Sequence, residues 1–362
     1  MEINIAVIPG DGIGPEITEA TEQVLKRVCE IYGHVLNITH VKACSSSIEE
    51  TGEPLPKESL KKCLQADAVL LGNTGLEKYK NEPLTKRPEY ALLKLRKELG
   101  VTTNLRPVRL YPALMELSPL NKNALSGGLD YLFVRDIAGG VFCSAKVQGN
   151  GDGGREAYEY EYYNETIVRK TAYTAFKLAK SRKNKVTNLD KSNVLGSSRL
   201  WRQTVQQVSE DFPDVELEHL YIDNAAMELI RNPGRFDVFV TSNLFGDIIS
   251  DEGTELTGTP YLYPSAELSN TEQGIYTPNQ LHYPDESVIE KDMVNPIGMI
   301  AAAAQMLRLS FGLEAEAGAI EEAIRQVLAA NIATADIWHK GKILVGTKEM
   351  GKRIADEIEA VS

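Results

Sequence analysis

Short apolar runs recur along this chain at residues 3–8, 67–72, 131–135 and 236–240, and helical patterns fill the intervals between them. Each run is too short for a helix and too continuously apolar for a strand wetted on one side. They therefore read as strands buried on both faces. Between them, Ile17, Ala20, Val24, Leu25 and Val28 recur at helical spacing, as do Val168, Ala172, Ala175, Phe176 and Ala179. Pro15 suits the first turn of the first of these helices. Strands alternating with helices predict an α/β protein with a largely parallel sheet. A chain of 362 residues can bury a substantial core as one large or two medium domains. The glycine-rich segment 148–154 cannot be core, and Tyr158, Tyr160, Tyr162 and Tyr163 beside it alternate like a strand. No internal repeat is visible.

Hydrophobic content of 43% and charged content of 25% are those of a globular protein. A formal charge of −12 argues against nucleic acid or an anionic membrane as partner. It leaves room for a small anionic substrate, because local arginines override the global sign. Cys29, Cys44, Cys63 and Cys143 show neither metal-ligand pairing nor a dense framework, and are expected to be free thiols in a reducing compartment. The N-terminus lacks a basic segment followed by an apolar core, and no apolar run reaches ~20 residues. The expected location is the cytoplasm.

The run Thr241-Ser242-Asn243-Leu244-Phe245-Gly246-Asp247-Ile248-Ile249-Ser250-Asp251-Glu252 follows the fourth strand. On a helix, Asp247 and Asp251 project from one face. Two close carboxylates repel unless a cation compensates them, and hard oxygen pairs suit Mg²⁺ or Mn²⁺. Taken alone, such spacing is more often a solvated acidic face. Gly10, Gly12 and Gly14 lie between a strand and a helix, but their spacing is G-x-G-x-G rather than the dinucleotide fingerprint. A tight turn that brings backbone close to a ligand is the expectation there.

Ordered segments across nearly the whole chain carry a wider resemblance. They begin with Ile8-Pro9-Gly10-Asp11-Gly12-Ile13-Gly14-Pro15-Glu16, Arg87-Pro88-Glu89, Asn104-Leu105-Arg106-Pro107 and Val134-Arg135. Asp190-Lys191-Ser192-Asn193-Val194-Leu195, Tyr221-Ile222-Asp223-Asn224, the run through Asp251, Asn295-Pro296-Ile297 and Val345-Gly346-Thr347 follow. Together they resemble the β-decarboxylating dehydrogenases of the 3-isopropylmalate/isocitrate dehydrogenase family. The resemblance implies that family's α/β fold, with two domains around a mostly parallel sheet. A discontinuous cofactor domain would take residues 1–101 and 259–362. A substrate and dimerisation domain would take 102–258, with a β-arm around 145–165 exchanged in a homodimer.

The implied activity is NAD-dependent oxidation of a 3-substituted malate of the 3-isopropylmalate type, then β-decarboxylation to a 2-oxo acid. Arg96, Arg106 and Arg135 match the arginines that grip the malate backbone, a task suited to planar, permanently charged donors. Asp223, Asp247 and Asp251 match the ligands of Mg²⁺ or Mn²⁺, and Lys191 matches the general base. Lys191 and Asp223 would come from the neighbouring subunit. Glu89, Leu92, Leu93 and Val194 match side-chain recognition positions, the last three as an apolar pocket. Ile13, Asn193, Gln280, Leu281, Asp285 and Asn295 match cofactor contacts, and Asp285 favours NAD over NADP by repelling a 2′-phosphate.

Two motifs depart from the family. Thr-Gly-Gly-Ile-Tyr-Phe-Gly becomes Ala138-Gly139-Gly140-Val141-Phe142-Cys143-Ser144, so the tyrosine that helps to protonate carbon is Phe142. Glu-Pro-Val-His-Gly-Ser-Ala-Pro-Asp becomes Thr277-Pro278-Asn279-Gln280-Leu281-His282-Tyr283-Pro284-Asp285, which puts a branched side chain where glycine lets a ligand approach. Three readings stay open: an isopropylmalate-type enzyme, a dehydrogenase for another 2-hydroxy diacid, and a non-catalytic subunit that binds metal and diacid.

Overall fold

The computed structural model describes residues 1–269, 271, 273–279 and 286–360. The chain opens with β1 (Glu2–Ile8), α1 (Gly14–Tyr32), β2 (Val35–His40), α2 (Cys44–Thr51), α3 (Lys57–Gln65), β3 (Ala68–Leu71) and α4 (Tyr90–Leu99). It continues through β4 (Thr103–Arg109), β5 (Asp130–Asp136), β6 (Val147–Gly151), β7 (Gly154–Tyr158), α5 (Glu165–Ala179), β8 (Lys185–Asp190) and α6 (Gly196–Ser209). Next come β9 (Glu216–Tyr221), α7 (Ile222–Arg231), β10 (Val238–Thr241), α8 (Asn243–Glu255), β11 (Pro264–Leu268) and β12 (Gly274–Pro278). It closes with α9 (Ile297–Phe311), α10 (Glu314–Ala329), β13 (Ile332–Ala333), β14 (Ile343–Leu344) and α11 (Thr347–Asp356).

The chain forms two compact units, one of residues 1–101, 111–117 and 258–362, the other of residues 102–110 and 118–257. In the first, the strand order is β2-β1-β3-β12-β11, parallel except for the antiparallel β11/β12 pair. Helix α1 buries Ile17, Ala20, Val24, Leu25 and Val28, the face that its spacing predicts. It ends at Gly33, whose φ of 71° closes the last turn. Helix α9 is apolar around most of its circumference because α1 and α10 cover one side and β11 and β12 the other.

In the second unit the order is β4-β5-β10-β8-β9, parallel except for β4/β5. Tyr131 and Phe133 of β5 meet Phe239 of β10 in edge and stacked contacts with centroids 4.6–5.6 Å apart. Residues 147–158 form an exposed antiparallel hairpin, β6 with β7. The strand expected to run on to Tyr163 stops at Tyr158, which pairs with Val147, the first residue of β6. Tyr163 instead turns inward and packs edge-on against Trp201 at 5.2 Å. Among the described residues no helix is long and apolar enough to cross a membrane. All four cysteines are free, with Cys143 alone exposed.

Asp136, at the end of β5, is fully buried and accepts hydrogen bonds from the Gly139 amide (2.8 Å) and the Thr171 hydroxyl (3.4 Å). Burial outweighs these bonds and lifts its pKa to about 6. The folded chain thus holds this proton more tightly than the unfolded one. The stability that results is complete below the ordinary aspartate value of 3.8 and lost as pH rises through about 6. Asp136→Asn should therefore gain in melting temperature relative to the parent as pH is raised from about 4 to about 7. Thermal unfolding at a series of pH values checks this, and a pH-independent difference would count against it.

Candidate active site

In the second unit, helix α8 carries the paired aspartates, and close packing puts them where they are. A Cβ on Gly246 would lie 2.7 Å from Cγ of Arg135 and 2.8 Å from Cγ2 of Thr241. Only glycine lets this turn of α8 press against β5 and β10. Asp247, one residue on, then meets Arg135, whose Nη1 donates to Asp247 Oδ1. Arg106 of β4 donates through Nη1 to Asp251 Oδ1 at 2.8 Å and to Ser250 Oγ at 2.7 Å. Its Nη2 lies 3.7 Å from Asp247.

In this chain the two carboxylates face guanidinium groups, which offset part of their mutual repulsion. Asn243 completes the cluster, a role that the sequence did not disclose. Its Oδ1 accepts from Arg135 Nε at 3.2 Å and Nη2 at 2.8 Å. Its Nδ2 donates to the Gly139 carbonyl at 2.9 Å, and its backbone amide donates to the Tyr163 hydroxyl at 2.8 Å. Arg135, almost wholly buried, is thereby fixed in orientation.

Lys191 and Asp223 form a separate pair, with Nζ 2.6 Å from Oδ1. The Lys191 hydrogen bond holds the Asp223 carboxyl below its usual range. Among the described residues no three His, Cys, Asp or Glu side chains form a group able to hold a metal, so Asp223 does not join Asp247 and Asp251 within one chain. Asn193 and Val194 are exposed on the turn after β8.

In the first unit, β1 runs into the glycine turn. Gly10 has φ of 79°, and a Cβ there would fall 2.0 Å from the Asn73 carbonyl oxygen. The turn is held by Asp11, which accepts from the amides of Ser45 and Gly75, each at 2.8 Å, and from the Ser45 hydroxyl. Ile13 is buried at the start of α1. Glu89 opens α4, Leu92 is buried within it, and Leu93 is 38% exposed. Arg96 of α4 is gripped side-on by Glu267 of β11, a fully buried carboxylate that accepts from Nε at 2.7 Å and from Nη2. Nothing in the sequence marked Glu267 beyond a lone acid in the run Ser265-Ala266-Glu267-Leu268. Asn295 caps α9 by accepting from the Ile297 amide at 3.0 Å, and donates to Asp336 at 3.0 Å. Gln280, Leu281 and Asp285 lie outside the described residues.

A family model described as isocitrate/isopropylmalate dehydrogenase matches residues 4–354. The chain belongs to this family. It is 44% identical over 357 residues to a 3-isopropylmalate dehydrogenase of Clostridium acetobutylicum, covering 99% of both chains. Against a 3-isopropylmalate dehydrogenase of Geobacillus kaustophilus the identity is 46% over 353 residues, 97% of this chain and 94% of the other. An isocitrate dehydrogenase structure from Methylococcus capsulatus superposes with a TM-score of 0.84 at 26% identity, covering 98% of this chain and 99% of that one. The protein is accordingly an oxidoreductase with the isocitrate/isopropylmalate dehydrogenase fold.

For a member of this family, Phe142 stands out. Its ring is 45% exposed, with the Arg135 guanidinium carbon 5.8 Å from the ring centroid. The neighbouring polar groups turn back into their own loop. Ser144 donates its hydroxyl to the Val141 carbonyl at 3.0 Å, and the Cys143 thiol faces the Ile137 carbonyl at 3.4 Å.

Proposed function

We propose that the protein is a cytoplasmic homodimeric dehydrogenase that oxidises a 3-substituted malate of the 3-isopropylmalate type with NAD, then releases carbon dioxide to leave a 2-oxo acid. The observation that supports this most directly is the juxtaposition of Arg106 and Arg135 with Asp247 and Asp251. Such a cluster has donors for a dicarboxylate and hard oxygens for a cation. Near-full-length identity of 44–46% to proteins named 3-isopropylmalate dehydrogenase supports the substrate class.

The donor set fits a divalent cation, since Mg²⁺ or Mn²⁺ takes one or two carboxylates and leaves its other positions to water and substrate oxygens. Held by Asp247, Asp251 and a partner's copy of Asp223, it would supply positive charge beside the substrate hydroxyl and the oxygen that turns negative as carbon dioxide leaves. Arg106 and Arg135 would exchange their aspartates for substrate carboxylates, with Asn243 keeping Arg135 in place. The partner's Lys191 would take the hydroxyl proton as hydride departs, with the partner's Asp223 orienting its ammonium as the two pair within each chain. The first unit would bind NAD, with the glycine turn as close-approach backbone and Ile13, Asn295 and Asp285 as contacts; Asn193 would be a further cofactor contact by the family resemblance. Arg96, Glu89, Leu92, Leu93 and Val194 would recognise the rest of the substrate.

NADH formation on a panel of 3-substituted malates with Mg²⁺ or Mn²⁺ tests the reading. The isopropyl compound should be the best substrate, and a panel that yields no NADH would sink it. Mixing Lys191→Ala chains with Asp247→Ala chains should recover part of the activity, because one site of the mixed dimer then holds every group. No recovery after verified subunit exchange would remove the shared-site proposal.

A further inference from the structure

One face of β12 is polar where an inner strand is ordinarily apolar. Alternation sets Ile275, Thr277 and Asn279 on one side and Tyr276 on the other. Tyr276 meets Ser310 of α9 at 2.8 Å, so Thr277 and Asn279 face away from α9. Glu267, opposite Ile275 in the register, receives Arg96 of α4, which places α4 on their side. The Asn279 amide donates to the Tyr263 carbonyl at 2.8 Å, so the pairing geometry continues one residue past the strand.

Asn279 is 8% exposed and Thr277 fully buried. Among the described residues, neither the Oδ1 nor the Nδ2 of Asn279 has a hydrogen-bond partner, and neither has the Thr277 Oγ1. Buried polar side chains are hydrogen-bonded in the large majority of cases, and each exception calls for a cause. Here two exceptions sit two residues apart on one face. A valine and a leucine would fill the same space without the desolvation cost. The place points to that cause. β12 runs parallel to β3, and β3 to β1, whose carboxyl end leads into the glycine turn. Ligands of open α/β sheets bind outside the carboxyl ends of such strands. Among the described residues no hydrogen bond anchors the Asn279 side-chain carboxamide, so turning it toward an incoming ligand costs only a rotamer change.

We infer that Asn279, supported by Thr277, is a recognition residue for the dinucleotide, pairing with a group that offers a donor and an acceptor side by side. The aminopurine edge of adenine and the carboxamide of nicotinamide both have that chemistry. Valine occupies this position in the family pattern and cannot make the contact. The inference rests on the cofactor reading above.

Thermal unfolding of the ligand-free protein and calorimetric titration of Asn279→Leu and Thr277→Val test it. Removing an unpartnered buried amide should raise the melting temperature of Asn279→Leu by about 2–4 °C. The same change should weaken NADH binding ~10-fold or more. Thr277→Val should move both quantities the same way by less. If adenine is the partner, ADP-ribose loses the same affinity; if the carboxamide is, reduced nicotinamide mononucleotide does. A fall in the melting temperature of Asn279→Leu, or unchanged NADH affinity, would overturn the inference while leaving the cofactor reading intact. A parent protein that binds no NADH would overturn both.

Discussion

Replacing Lys191 by alanine is expected to lower kcat for a 3-alkylmalate by ~10²–10⁴, the usual contribution of a positioned general base. Hydride cannot leave the carbinol carbon without loss of the hydroxyl proton, and Lys191 is the side chain assigned to take it. Its Nζ is held at 2.6 Å by Asp223, and the side chain is 27% exposed, within reach of a ligand. The arginines that would hold the carboxylates remain in the variant, so KM should move little while kcat falls. A small primary amine added to the medium should restore part of the rate. Turnover within about ten-fold of the parent, well short of the ~10²–10⁴ of a positioned general base, would mean that another group accepts the proton.

Phe142→Tyr should act in the opposite direction. The product of carbon dioxide loss must take up a proton on carbon, and a phenyl ring has none to give. Ser144 and Cys143 direct their hydrogens to backbone carbonyls. Phe142 is 45% exposed and lies beside Arg135, so a hydroxyl added to its ring has room and a nearby positive charge. The gain in 2-oxo acid formation is expected to reach as much as ~10²–10⁴. It should appear in kcat more than in KM, because the proton is needed only after decarboxylation. A parent that already turns over isopropylmalate at ~10 s⁻¹, a typical enzyme rate, would show that another donor serves. A Phe142→Tyr protein that binds metal and diacid yet stays inert would favour the non-catalytic binding subunit.

The sequence by itself determined the alternation of strand and helix, the glycine turn after β1 and the common face of Asp247 and Asp251. Each follows from a local period of two or 3.6 residues, or from glycine's access to positive φ, and local periods can be read from neighbours in the chain. It also named Arg106 and Arg135 through their motifs. It did not show whom these side chains meet. Arg106 finds Asp251 across 145 positions, Arg135 finds Asn243 across 108, and Arg96 finds Glu267 across 171. No period links residues so far apart; strand order and helix docking bring them together. That is why the guanidinium partners of the two aspartates, and Glu267 as the partner of Arg96, passed unnoticed. Burial without a partner is a tertiary property as well. In the sequence Asn279 is one of several changed positions in the cofactor-loop motif, and only the packing of β12 against its neighbours makes its side-chain carboxamide a buried group without a partner among the described residues.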